Sequence, residues 1–196
     1  MQKQDAMSRL RIEAEALKME MCESDTNLVG GEGNLDSRLI IVGEAPGAQE
    51  DRIGRPFVGT AGKILNDEIE AAGIDREQIY ITNVIKCRPL LVNNGRIRNR
   101  VPKAEEIKAW SAILKREIEI VSPDIILCLG AIAASVLIHP RFTMSIERGK
   151  WFDCSIGRVI ATYHPSYLRW GKTDKNMKLF RSDLLQAIQL MSSDIE

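Results

Sequence analysis

The sequence lacks several features that would assign a protein class at once. Its four cysteines, Cys22, Cys87, Cys128 and Cys154, lie far apart without any CxxC pair, which argues against zinc ribbons and CxxC redox sites. No apolar run approaches the roughly 18 residues that span a bilayer, and the polar N-terminus lacks the apolar stretch of a signal peptide. We therefore expect a cytoplasmic protein without a membrane span and without disulfides.

An excess of one charge sign is also missing, since 27 basic residues balance 27 acidic ones. The charges are nevertheless segregated along the chain. Residues 86–103 carry six basic side chains and no acid, and residues 169–181 carry five basic side chains against Asp174 alone. Such segregation can give a neutral protein a basic face for nucleic acid, although ordinary solvated loops would have the same composition.

The pattern of apolar runs predicts an α/β fold. Four short runs read as buried strands, and segments of helical composition lie between them and at the end of the chain. This alternation predicts a three-layer α/β/α sandwich with a central four-stranded parallel sheet. We expect one domain over residues 1–196, in which residues 1–25 form an N-terminal helical extension. The predicted strands are 39–42, 79–84, 125–129 and 159–162, and the predicted helices are 3–21, 61–72, 103–120, 131–138 and 175–191.

The loop that follows the first predicted strand is the most informative segment of the chain. It reads GEAPG at 43–47 and GRPFVG at 54–59, and it is too rich in glycine, proline and charge to be core. It contains neither GxGxxG nor a P-loop signature. In open α/β folds such a loop lies at the carboxyl edge of the sheet, where ligands bind. Phe57 could stack on a flat ligand or anchor the loop, and Glu44 and Glu50 could be catalytic or could order the loop.

Two further polar residues end predicted strands. Asn83 interrupts an apolar run, where its amide needs hydrogen-bond partners and suits the edge of a base, or else caps the next loop. His164 directly follows the fourth strand, and Pro165 biases it toward an extended backbone. His164 could aim an N–H group at a ligand oxygen, or could be a satisfied turn residue. The other histidine, His139, is interpreted as structural or exposed.

Together these segments resemble the uracil-DNA glycosylase superfamily, and family 4 most closely. The resemblance runs from about residue 26 to residue 188, with the motifs in the family's order. It implies a DNA glycosylase that hydrolyses the N-glycosidic bond of a flipped uracil, or of a related aberrant base, in base excision repair. The motifs that carry it are GEAPG at 43–47, residues 54–62, TNVIKCRP at 82–89 and YHPSYL at 163–168.

The resemblance also implies roles for individual residues. Phe57 stacks on the flipped base, Asn83 reads its Watson–Crick edge, and Gly47 adds backbone donors. His164 donates to a base oxygen as negative charge develops. Related branches carry Asp or Asn at the position of Ala45, where the side chain can position or activate the attacking water. In this chain Glu44 or Glu50 therefore helps with the water, or catalysis rests mostly on the leaving group. The residues implied in DNA contact are Lys86, Arg88, Ser166, Tyr167, Leu168 and Arg169.

The chain departs from the family at the iron–sulfur cluster. Family 4 enzymes hold a [4Fe–4S] cluster with four cysteines, and here only Cys87 matches a ligand position. The other three positions are Ala16, Met19 and Trp110, and Cys22 lacks an evident partner. We therefore predict no cluster and no other metal: either the chain is a cluster-free offshoot of the family, or packing around Met19 and Trp110 has replaced the cluster. The predicted partner is single- or double-stranded DNA, bound by a monomer. The alternative functions are a glycosylase for a modified base of viral DNA and a protein that binds DNA or a base without catalysis.

Overall fold

A computed structural model describes residues 2–170 and 174–193, with the side chains of residues 169 and 170 left outside the description. A six-stranded sheet and a separate two-stranded hairpin account for its strands. The strands are β1 (Glu32–Gly33), β2 (Leu39–Gly43), β3 (Tyr80–Asn83), β4 (Leu90–Asn93), β5 (Arg96–Asn99), β6 (Ile125–Leu129), β7 (Trp151–Cys154) and β8 (Gly157–Thr162).

Eight α-helices and one short 3₁₀ turn, Arg76–Gln78, occur in the described part of the chain. None of these helices is both long enough and apolar enough to cross a membrane. The helices are α1 (Gln2–Met21), α2 (Ala48–Ile53), α3 (Thr60–Ala71), α4 (Ala104–Val121), α5 (Ala131–Leu137), α6 (Met144–Glu147), α7 (Pro165–Trp170) and α8 (Asp174–Ser193).

The large sheet has the strand order β1-β3-β2-β6-β8-β7. Its four inner strands are parallel and correspond to the four predicted apolar runs. The prediction of a four-stranded sheet is wrong in number, because β1 and β7 add antiparallel edge strands. The inner strands β2 and β6 are buried at every residue, as expected for strands that are covered on both faces.

Two apolar cores cover the two faces of the sheet. On one face, Ile40 and Ile126 pack with residues of α1, α4 and α5. On the other face, Ile41 and Leu127 pack with residues of α3, α7 and α8. This arrangement gives the three-layer sandwich. Helix α1 contributes the buried Leu10 to the first core, so the predicted N-terminal extension is a packed part of the fold.

Candidate active site

A cleft of about 430 Å³ opens at the carboxyl ends of the parallel strands. The loops after β2, β3 and β8 converge there, as the topology of an open parallel sheet requires. The cleft brings together all six residues that the sequence assigned to catalysis and base binding. Its lining is Glu44, Ala45, Gly47, Ala48, Gln49, Glu50, Phe57, Gly59, Thr60, Ala61, Asn83, Asn99, His164 and Ser166.

Asn83 forms the floor of the cleft at the end of β3. The side chain is 2% exposed, and Oδ1 has no hydrogen-bond partner among the described residues. The neighbouring strand makes room for it, since a Cβ at Gly43 would lie 2.4 Å from this Oδ1 and 2.4 Å from Cζ of Phe57. A buried polar atom without a partner is costly, so this amide is arranged to meet a polar ligand.

Phe57 supplies an aromatic wall beside that amide. Its backbone has φ of 53°, a left-handed conformation that bulky residues rarely adopt. The ring is nevertheless buried, at 4% exposure, and its centroid lies 6.1 Å from that of His164. Backbone strain that persists at a cleft wall is typical of functional sites, where surrounding contacts hold it in place.

His164 lies opposite, in the loop between β8 and α7. The backbone N–H of Ser166 donates to Nδ1 of the ring at 3.2 Å, and Oγ of Ser166 lies 2.7 Å from the same nitrogen. Burial lowers the pKa of His164 to about 4, and the negative charge of Glu50 opposes this shift only partly. At neutral pH the ring is therefore uncharged, and the Ser166 N–H that donates to Nδ1 leaves the ring proton to Nε2, which has no hydrogen-bond partner among the described residues.

Gly130 fixes the position of the His164 ring from the neighbouring strand. Its φ of 96° disfavours any side chain, and a Cβ at this position would lie 3.2 Å from Cβ of His164. The end of β8 that leads to His164 is braced as well, since the buried Asp183 accepts hydrogen bonds from Thr162 and Arg148. The histidine is thus held by its surroundings before any ligand arrives.

The two candidate carboxylates have different environments. Both oxygens of Glu50 are occupied, because they accept from the backbone N–H groups of Gly47 at 3.2 Å and Gly59 at 2.7 Å. Glu50 therefore ties together the two ends of the loop after β2. Glu44 is half-buried in the cleft wall, and burial raises the pKa of its carboxyl above the usual range. Glu44 is the carboxylate that remains available to a water molecule or ligand.

Lys86 is a correction to the predicted DNA contacts. Its side chain is 2% exposed and lies between the sheet and α4, where it pairs with Glu117. The ammonium group also donates to the Thr82 hydroxyl and to the Asn83 carbonyl, at 2.8 Å. Burial lowers the pKa of Lys86, and Glu117 opposes that shift. Lys86 cannot reach a phosphate from this position; it braces the end of β3, which carries Asn83.

Lys86→Ala is expected to destabilise the fold by about 3–5 kcal/mol, because it leaves the Glu117 carboxylate buried without its partner. Urea unfolding would measure the loss. Lys108→Ala is the matched control, since Lys108 is an exposed lysine of α4. If Lys86→Ala unfolds at the same urea concentration as the control, the buried pair has no such role.

The remaining predicted DNA contacts divide into four groups. Ser166 and Tyr167 are exposed beside the cleft, and their contact with DNA stays a prediction. Leu168 is 2% exposed and packs in the core with α3 and α8, so its predicted contact with DNA is wrong. The Arg169 side chain lies outside the described residues. Arg88 is half-buried, and its Nε donates to Oδ1 of Asn99 at 2.7 Å.

Several cleft residues could not be identified from the sequence. Asn99 lies sixteen positions after Asn83, on the β4–β5 hairpin, and only the return of that hairpin brings it to the cleft. Gln49 and Thr60 begin helices whose entry into the cleft depends on the Glu50 contacts. The Asn-Gly dipeptide at 94–95 is the one sequence signal that could have suggested the hairpin.

The residues around Cys87 do not fit an iron–sulfur cluster. Cys87 is bonded to Cys22, which overturns the expectation of no disulfide and gives Cys22 a partner. No group of three or more His, Cys, Asp or Glu residues is placed to hold a metal ion within 2–170 and 174–193. Trp110 is fully buried, as the predicted replacement packing requires, but Met19 is 85% exposed and contributes none.

Breaking the Cys22–Cys87 bond is expected to lower the midpoint of thermal unfolding by roughly 5–15 °C. The bond joins residues 65 positions apart, and a cross-link over such a distance typically contributes about 2–4 kcal/mol. Scanning calorimetry of Cys22→Ser would measure the shift, with Cys154→Ser, at a free cysteine, as the control. A midpoint that is equal with and without reductant in the unaltered protein would contradict the expectation.

Comparison with known proteins identifies the family of this chain. The model of the uracil DNA glycosylase superfamily matches residues 31–187. The chain is 43% identical to the type-4 uracil-DNA glycosylase of Thermotoga maritima, over 83% of this chain and 82% of that protein. Identity to the proteins of the same name from Sulfurisphaera tokodaii and Archaeoglobus fulgidus is 44% and 39%, over 83% and 76% of this chain and 75% of each relative. The chain belongs to the uracil DNA glycosylase superfamily, which confirms the predicted family.

Proposed function

We propose that this protein excises uracil from DNA by hydrolysing its N-glycosidic bond. One observation carries the proposal: Asn83, whose Oδ1 has no hydrogen-bond partner among the described residues, lines the same cleft as the neutral His164 and the Phe57 ring. An aromatic wall with one acceptor and one neutral donor complements a flat base that carries both N–H and carbonyl groups. The name shared by the three relatives supports uracil as that base.

Recognition follows from the hydrogen-bonding capacity of the Asn83 amide. An extruded uracil can donate its N3–H to Oδ1 and accept from Nδ2 at O4. Cytosine offers an amino group and an unprotonated ring nitrogen at the same positions, so it leaves the amide mispaired. Phe57 stacks against the face of the base and excludes water from one side. The cleft is therefore selective before any bond is broken.

Bond cleavage leaves the electron pair of the C1′–N1 bond on the departing base. Nε2–H of His164 donates to a carbonyl oxygen of that base as negative charge accumulates there, which lowers the barrier. Because the ring is already neutral, it can act as a donor without gaining or losing a proton. The uracil anion leaves, and a water oxygen forms the new bond to C1′ while giving up its proton.

Glu44 is the residue that we assign to the attacking water. Its carboxylate lines the cleft without the backbone contacts that occupy Glu50. Burial raises the pKa of Glu44, which makes the ionised form a better proton acceptor than an exposed carboxylate. Glu50 has the supporting role of holding the loop that presents Gly47.

We propose further that the protein carries no iron–sulfur cluster. The support is the chemistry of the side chains. The sulfur of Cys87 is used in the bond to Cys22, and the buried Trp110, at another of the ligand positions, has no atom that could bind iron. Iron and sulfide analysis of anaerobically purified protein tests this, and stoichiometric amounts of both would overturn it. Monomeric state and cytoplasmic location stay predictions from the sequence.

The test of function is a strand-cleavage assay. Labelled oligonucleotides that contain uracil, hypoxanthine, a thymine mismatch or a hydroxymethylated pyrimidine are incubated with the protein, and abasic sites are then cleaved with alkali. Cleavage at uracil alone supports the proposal. Cleavage at another base in place of uracil reassigns the substrate, and tight binding without cleavage of any substrate replaces catalysis with recognition.

A further inference from the structure

The β4–β5 hairpin projects from the rim of the cleft. Its strands are joined by the turn Asn94-Gly95, whose φ values of 48° and 74° are typical of a type I′ turn. Every strand residue except Leu90 is exposed. A two-stranded hairpin alone is only marginally stable in water, so the exposed apolar residues at its far end call for a contact that the described residues do not supply.

The two faces of the hairpin differ in chemistry. Cross-strand pairing places Val92 opposite Ile97, and because side chains alternate along a strand, this pair shares a face with Leu90 and Asn99. Val92 and Ile97 are 64% and 57% exposed. The opposite face carries Leu91, Asn93, Arg96 and Arg98. One face is therefore apolar and continuous with the cleft residue Asn99, and the other is basic.

Two arginines fasten the base of the hairpin. Arg100 forms a two-pronged pair with Glu106, at 2.6 and 2.7 Å, and its Nε donates to the Leu90 carbonyl. Arg88 donates to Oδ1 of Asn99, and since arginine has only donors, the amide nitrogen of Asn99 is the part left for the cleft. The end of the hairpin next to the cleft is thus held in place, and this sets the distance of Val92 and Ile97 from the cleft.

We propose that the apolar face of the hairpin, formed by Val92 and Ile97, packs against the DNA that flanks the extruded nucleotide. The proposal rests on the proposed function and adds a contact surface for duplex substrate. Val92 and Ile97 lie two residues beyond the cleft residue, about 7 Å along the strand. This distance equals about two steps of stacked bases at 3.4 Å each. Apolar side chains that insert at such steps compensate the stacking lost on extrusion.

The charge of the surrounding segment fits this partner. Arg96 and Arg98 extend from the opposite face, and residues 86–103 contain no acid. Long guanidinium side chains at these positions can pair with backbone phosphates while the apolar face meets sugars and bases. A protein partner would meet the same apolar face without requiring this cationic reverse side, and DNA is the occupant to which both faces are suited.

The test compares two variants on two substrates. Val92→Ser with Ile97→Ser removes the apolar pair, and Leu91→Ser removes an exposed apolar residue from the other face as control. We expect the double variant to lose about tenfold or more in kcat/KM on duplex DNA with one uracil, and less than about threefold on the same single strand, where no stacked partner strand must be disrupted. The Leu91→Ser control should stay within about twofold on both.

A binding experiment separates the hairpin from the chemistry. Fluorescence anisotropy with the uracil duplex should show weaker binding by the double variant and an unchanged salt slope, whereas Arg96→Ala with Arg98→Ala should flatten that slope by about two units. Equal duplex activity and affinity for the double variant and the control overturn the proposal. An unaltered protein that cleaves neither substrate overturns the proposed function instead, and the anisotropy comparison then decides whether the hairpin contacts DNA.

Discussion

Replacing His164 with alanine is expected to slow uracil excision about 10²–10³-fold while leaving DNA affinity nearly unchanged. The Nε2–H donor acts where negative charge develops, so its loss raises the barrier by about 3–4 kcal/mol without weakening the ground state equally. Single-turnover rates with saturating enzyme measure the chemical step. His139→Ala is the matched control, because His139 pairs with Glu147 and lies outside the cleft lining.

The pH dependence distinguishes this role from a merely structural one. With a pKa of about 4, the His164 ring is neutral from pH 8 down to pH 5, so the excision rate should show no step near 6.5. The unfolded chain takes up this proton below about 6.5 and the folded chain only near 4, so the histidine lowers stability as pH falls through that window. An excision rate for His164→Ala equal to that of the His139 control would refute the assignment.

Asn83→Asp is expected to reduce uracil excision by about 10²-fold or more. The carboxylate keeps the shape of the amide, but it lacks the Nδ2 donor and places a charge beside a leaving group that is itself becoming negative. Discrimination between uracil and cytosine should narrow, because a carboxylate can accept from the cytosine amino group. Excision from matched oligonucleotides that contain either base measures both effects.

Substitution of the Asn83 side chain should affect recognition of the nucleobase and leave the fold unchanged. Lys86 donates to the backbone carbonyl of residue 83 and not to its side chain, so the brace under β3 survives the substitution. Asn83→Ala serves as the companion variant, since it removes the amide without adding charge. If both variants excise uracil at the unaltered rate, the base is read elsewhere in the cleft.

Much of the fold was predictable because each of its four inner strands contains a short apolar run with glycine, proline or polar residues around it. The edge strands were not predictable in the same way. β1 consists of Glu32 and Gly33 alone, and only pairing with β3 makes it a strand. β7 mixes Trp151 with Asp153 and is partly exposed, as edge strands often are.

The site was predictable where a polar residue ends a buried strand, as Asn83 and His164 do. The errors arose where sequence position gives no information about depth. Lys86 lies in a basic segment but is drawn inward by Glu117 from α4, 31 residues later. Leu168 follows the histidine motif, but its side chain packs in the apolar core beside α8. The Cys22–Cys87 bond depends on a fold that brings two distant residues together.

The ends of the β4–β5 hairpin meet, because the N–H of Arg100 donates to the Pro89 carbonyl at 3.2 Å. The ten residues between Pro89 and Arg100 therefore form a hairpin that begins and ends at the same place on the fold. We expect the residues between Leu90 and Asn99 to be exchangeable for turns of other length without disturbing the large sheet, because Asn99 and its hydrogen bond from Arg88 stay in place. On the proposal above, preference for duplex DNA lies in the hairpin while recognition and excision of the base lie in the cleft, so the first can change in evolution while the second is kept.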